Sequence, residues 1–169
     1  MVEDPNIDCW WGGRPLLAVC KAFAYIGGFV LIATVLMVVS SVVGRSAFAS
    51  PLPGDFELVE LTAAIVVALF LPYCHITRSN VNVDLLATRM SPAIVRATDA
   101  MGDIFLAILS ILLAWRSVLG GIDLYLSRDV TSVLQIQLWL VFPLIVACFS
   151  LLALTSIHNL IVTLRGDHQ

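Results

Sequence analysis

From Ala22 to Gly44 the chain carries no charged residue. Roughly 23 residues in a helix rising 1.5 Å each cover about 34 Å, enough to cross a hydrocarbon layer about 30 Å thick. The rest of the chain points the same way. Hydrophobic residues make up 60% of the 169 positions and charged residues 12%, about half the charged share of an ordinary globular domain. Mean hydropathy is +0.98. The expected class is an all-α integral membrane protein. In such a chain the position of each charge says more than the formal net charge of -3, and no basic stripe suggests nucleic acid as a partner.

Three further segments qualify as spans. One runs from Leu58 to Ile76, with Pro72 near its end. The next is interrupted: only Ile104 to Trp115 is free of charge, so a full span must reach back past Asp103 or forward past Arg116, whose long side chain can snorkel to the interface. The last lies in Val130 to Leu164, where Gln135, Gln137 and Trp139 read as its interfacial beginning and Pro143 as a kink. The expectation is a single four-span domain over residues 1–169, with spans at about 22–44, 58–76, 97–119 and 138–161.

Orientation follows from the nine basic residues. Arg14, Lys21, Arg78, Arg89, Arg96 and Arg165 fall on the side of the termini; Arg45, Arg116 and Arg128 fall on the other. Positive residues favour the cytoplasm, so both termini are expected there. "AFA" at 47–49 resembles a signal-peptide cleavage site. The preceding apolar run is too long for a signal peptide, and Glu3, Asp4 and Asp8 are wrong for a basic n-region, so the first span is expected to be retained.

Chemistry is sparse. Cys9, Cys20, Cys74 and Cys148 form no C-x-x-C pair, and His75, His158 and His168 lack metal-site spacing. Buried thiols act as small hydrophobes and the histidines read as interfacial or tail residues. No cofactor, Gly-rich phosphate loop or nucleophile elbow is expected, and nothing argues for an enzyme. Nor are there paired repeats with broken helices and midplane charges, the signature of a self-sufficient secondary carrier.

The stretch "PLPGDFELVELTAA" sets acid against an apolar run. "PLPGD" reads as a turn with Asp55 as helix N-cap, and Glu57 as a first-turn acid favoured by the helix macrodipole. Glu60 lies a turn deeper. Its helical neighbours Ala63, Ala64, Val67 and Ala68 form a narrow face on which another helix can approach closely. Glu60 is therefore either a packing or pairing residue, with Arg45 at the same membrane level as one partner, or a solvated interfacial acid.

Beyond the second span, residues 78–90 mix apolar and charged side chains as a short helix lying in the interface does. Ser91 and Pro92 then read as N-cap and first position of a new helix. Its Arg96, Asp99 and Asp103 describe solvated first turns, with a proton relay through the two acids as the alternative.

Three local patterns, in order, resemble one family: the small permease subunit of tripartite ATP-independent periplasmic (TRAP) transporters, the DctQ family. Gly44-Arg45 is followed by a turn and Glu60-Leu61. "RSNVNVDLL", Arg78 to Leu86 with Asp84, is similar to that family's basic residue followed by H-[IV]-x-V-D. "TSVLQIQLWLVFPL", Thr131 to Leu144 with Trp139, is similar to its T-x-x-L-x-I-P-x-W approach to the last span. Asn80 stands where the family usually has His, and Gln137 where it often has Pro.

The resemblance implies a scaffold rather than a carrier. Its partners would be a large permease subunit holding the substrate and sodium sites, a periplasmic binding protein that delivers a carboxylate or other organic acid, and membrane lipid. Arg45, Glu60, Ala64, Ala68, Arg78, Asp84 and Trp139 are the residues expected at helix or subunit interfaces. Two other classes fit less well. A quinone-linked membrane oxidoreductase needs reactive cysteine pairs in periplasmic loops, and there is no cysteine between Arg45 and Glu60 or between Arg116 and Trp139. A small multidrug exporter wants an acid deep in the first span, where there is none.

Overall fold

The computed structural model describes residues 13–48, 53–77 and 92–165. Nearly all of them belong to four helices: α1 (Gly13–Phe48), α2 (Asp55–Ile76), α3 (Pro92–Ser127) and α4 (Phe142–Arg165), the last preceded by a short 3-10 turn at Leu138–Val141. Each helix is long and apolar enough to cross a membrane, at Pro15–Ala47, Asp55–Ile76, Ala97–Ser127 and Leu138–Thr163. Among the described residues there is no strand, only an isolated bridge between Val130 and Gln137. The short helix expected between the second and third spans falls at 78–91, outside the described residues.

The helices run alternately up and down. Cys20 near the start of α1 packs with Ile76 at the end of α2 and with Leu151 of α4. Asp103, early in α3, reaches His75 near the end of α2. One end of the bundle thus collects the starts of α1 and α3 and the ends of α2 and α4, here called the terminal end. The opposite loop end holds the α1–α2 connection and the segment joining α3 to α4.

Spatial order differs from chain order. α1 packs on α2, α2 on α4, and α4 on α3. α2 and α4 are therefore the inner pair, joined through Ala68, Leu69 and Cys148 with Phe23, Ile65 and Ile145 around them. α1 and α3 are outer helices and expose large apolar side chains such as Tyr25, Phe29, Phe105 and Leu126. Lipid tails are as apolar as leucine, so helix contacts here gain mainly from close packing, which small residues allow. Gly27 of α1 is such a contact: a Cβ there would lie 3.1 Å from the Leu69 Cβ. Gly121 of α3 is another, where a Cβ would lie 3.0 Å from the Phe142 Cβ.

α3 runs back past Asp103 and forward past Arg116, the helix continuing through both charges. Local expectations changed in three places. Pro143 is the second residue of α4 rather than a kink; in a first helical turn its missing N–H has no intrahelical partner to lose. Gln135 and Gln137 precede the helical segment and belong to a turn. Gly54, not Asp55, caps α2: with φ +80 it takes the left-handed conformation that glycine adopts without strain, and its carbonyl accepts the first helical bond from Leu58 N–H at 3.1 Å.

Candidate functional site

At the loop end, the first turn of α2 organises the neighbouring chain through its carboxylates. Asp55 Oδ2 accepts from the Ser41 hydroxyl at 2.7 Å and lies 3.4 Å from Arg45 Nη2, while Oδ1 accepts from Phe56 N–H at 2.9 Å. Ser41 is buried, so this contact ties the last turns of α1 to the start of α2. Arg45 is more than half exposed and its ion pair is with Asp55 rather than with Glu60. The reason is register: Asp55 stands at the very start of α2, level with the end of α1, whereas Glu60 lies a turn and a half farther on.

Glu57 reaches in the other direction. Its Oε1 accepts from Val133 N–H at 2.8 Å and its Oε2 from Leu134 N–H at 3.0 Å. The segment it holds is a closed turn. Thr131 N–H donates to the Ile136 carbonyl at 3.0 Å, Gln135 N–H to the Thr131 carbonyl at 3.2 Å, and Leu138 N–H to the Asp129 carbonyl at 3.2 Å. Ile136 N–H donates to the Thr131 hydroxyl at 3.0 Å. Two residues other than glycine, Arg128 and Gln135, take positive φ to make the turn. The Leu134 side chain lies on Gly54, where any Cβ would fall 2.6 Å from its Cγ. Trp139 stands at the base of the turn. Its Nε1 donates to Gln137 Oε1 at 2.9 Å, and its ring meets Tyr125 edge-on at 5.4 Å.

A second polar cluster lies at the terminal end. His75 and Asp103, both buried, approach to 3.5 Å between Nε2 and Oδ1. Asn159 Nδ2 donates to the His75 backbone carbonyl at 2.9 Å. That carbonyl belongs to the last turn of α2, so α4 contributes a hydrogen bond to the end of the helix from across the interface. The cluster thereby joins α2, α3 and α4. Thr155, Ser156 and Thr163 are also buried on α4.

The outward side of α2 is different in kind. Glu60, Ala63, Ala64 and Val67 are exposed, whereas Ala68 is buried against α4. Arg78 and Asp84 lie outside the described residues. The structure thus separates the expected interface residues. Ala68 packs inside the bundle, Arg45 and Trp139 lie at the loop end, and Glu60 and Ala64 face away from the other helices.

Sequence reasoning missed Asn159 and expected other surroundings for three residues: an ordinary first-turn acid at Glu57, an interfacial histidine at His75 and a solvated acid at Asp103. Glu57 reads as an ordinary first-turn acid because its partners are backbone N–H groups, which no side-chain pattern announces. For Asp103 a signal was present: with Ala107 and Ser110 at i+4 and i+7, it shares a buried face of α3. His75 likewise follows Ala68, Leu69 and Pro72 along the buried side of α2.

A family model described as "Tripartite ATP-independent periplasmic transporters, DctQ component" matches residues 34–166, well over half of the chain. The match takes in the loop-end turn, the terminal-end cluster and the outward side of α2. No curated protein and no solved structure matches the chain.

Proposed function

Since the chain belongs to the DctQ component family of tripartite ATP-independent periplasmic transporters, we propose that it scaffolds a large permease subunit for uptake of a carboxylate or other organic acid. In this reading a periplasmic binding protein delivers the substrate and an ion gradient, of sodium, drives its entry. The family is one of transporter components rather than enzymes. Both termini lie in the cytoplasm and the loop end faces the periplasm of an inner-membrane protein.

One observation supports the scaffold reading above the others. Buried polar side chains such as Ser41, Asp103 and Asn159 bond between helices, whereas the acid and small residues of Glu60, Ala63, Ala64 and Val67 face outward. An acid turned towards hydrocarbon is costly, and a small-residue strip gains little from lipid but much from a second helix. We assign that strip to the large permease. Arg45 at its loop-end margin, and Arg78 and Asp84 through their match to the family pattern, belong to the same proposed interface.

Reconstitution tests the reading. The chain alone in liposomes should accumulate no organic acid, and uptake should appear only with the large permease, the binding protein and a sodium gradient. Robust uptake by the isolated chain would place the substrate path within it and remove the scaffold role. Glu60→Gln should insert normally but weaken co-purification with the large permease.

A further inference from the structure

In the turn between α3 and α4, six of the eight backbone N–H groups from Thr131 to Leu138 have a close acceptor within the protein. N–H groups of Thr131, Gln135 and Leu138 donate to carbonyls within the turn, that of Ile136 to the Thr131 hydroxyl, and those of Val133 and Leu134 to Glu57. Water would serve any of these donors at no structural cost. In a water-poor layer each one left unpaired is expensive, so irregular backbone must be closed internally.

The side chains agree with the backbone. Val133 is 56% exposed and its neighbours Val130 and Leu140 are about as open; Phe56, next to the residue that holds the turn, is 76% exposed. Apolar side chains displayed on a rigid support, beside the Tyr125–Trp139 pair, fit the membrane interface, where aromatic rings collect and apolar groups reach the upper acyl chains. The exposed polar residues Arg128, Ser132 and Gln135 give the same turn groups for the headgroup layer.

We infer that the 129–137 turn lies in the lipid interface, with Val133 immersed at the level of the upper acyl chains, and that Glu57 is the positioning residue that makes this immersion tolerable. Its carboxylate takes the place of water at two adjacent N–H groups. It does so from the first turn of α2, where the helix macrodipole favours a negative charge. This role is independent of which protein the chain assembles with.

Site-directed spin labelling tests it. The full chain, with its native cysteines replaced and Val133→Cys labelled with a nitroxide, is reconstituted in phosphatidylethanolamine–phosphatidylglycerol liposomes, alone and with the large permease. Collisions with oxygen should exceed those with a water-soluble nickel chelate severalfold in both samples. Glu57→Gln should then shift the label towards the chelate, because the opened turn recruits water to its N–H groups. A label that meets the chelate more than oxygen in the unmodified turn would overturn the inference. So would a label shielded from both reagents once the permease is bound, which would make the turn a protein contact. Val130→Cys provides a second labelling site should Val133→Cys fail to insert.

Discussion

Glu57 and Leu134, 77 positions apart in sequence, are joined in the fold by a 3.0 Å hydrogen bond from the Leu134 N–H to the Glu57 carboxylate. The partner oxygen accepts from Val133 at 2.8 Å, so one side chain on α2 holds two successive N–H groups of the α3–α4 turn. The connection is one of acceptor to donor only. An amide in place of the carboxylate would keep one acceptor and set its NH2 group against the other backbone N–H.

Glu57→Gln is accordingly expected to open the turn. Amide hydrogen exchange at Val133 and Leu134 should accelerate on the order of tenfold or more, the effect of losing a charge-assisted bond. Glu60→Gln should leave exchange at the same amides unchanged, since Glu60 faces outward on α2.

Gly54→Ala should destabilise the loop end by about 1–3 kcal/mol, from the left-handed backbone and from collision with Leu134. Thermal unfolding in detergent measures it. Adding Leu134→Ala relieves the collision and should recover part of the loss, whereas the strain at φ +80 persists. Full recovery would mean that the backbone conformation costs nothing there.

The α1–α2 contact can be probed with two adjacent glycines. Gly27→Val forces branched bulk against Leu69 and should cost about 1–3 kcal/mol. Gly28→Ala meets nothing within 4 Å and should be neutral or slightly stabilising, because alanine is the better helix former. Equal losses at both positions would show that helix flexibility, not close packing, is what the glycines supply.

His75 and Asp103 should be energetically coupled. In a double-mutant cycle with His75→Ala and Asp103→Ala, an interaction of about 0.5–3 kcal/mol is expected on the stability of the purified chain. A cycle that closes to zero would leave their 3.5 Å approach without energetic content. Asn159→Leu, which removes the donor to the His75 carbonyl, should cost about 1 kcal/mol.

Reporter fusions check the orientation. A fusion after Gln169 should behave as cytoplasmic and one within residues 46–53 as periplasmic, following the distribution of basic residues. Periplasmic activity from the C-terminal fusion would invert the proposed topology.

How far each feature can be read from sequence depends on the range of the force behind it. The spans are legible because transfer into lipid is nearly additive over a window of residues, and Ala22 to Gly44 needs no neighbour to declare itself. The extent of α3 is less legible, since Asp103 and Arg116 interrupt its apolar run while the helix continues through both. At the loop end, Thr131, Leu134 and Trp139 stand out as a pattern, but the pattern does not say that Leu134 lies on Gly54 or that Glu57 holds the turn.

The chain's class, its four helices and their alternation across the membrane therefore follow from the sequence alone, through hydropathy and helix length. Tertiary structure decides which helices touch and which acids are engaged. It places α4 rather than α3 beside α2, gives Arg45 to Asp55, and buries Asp103 against His75. These choices rest on contacts of 3 to 4 Å between residues far apart in the chain. A slip of one residue turns a helix by about 100° and carries an acid from its partner to the lipid, so no summation along the chain can supply them.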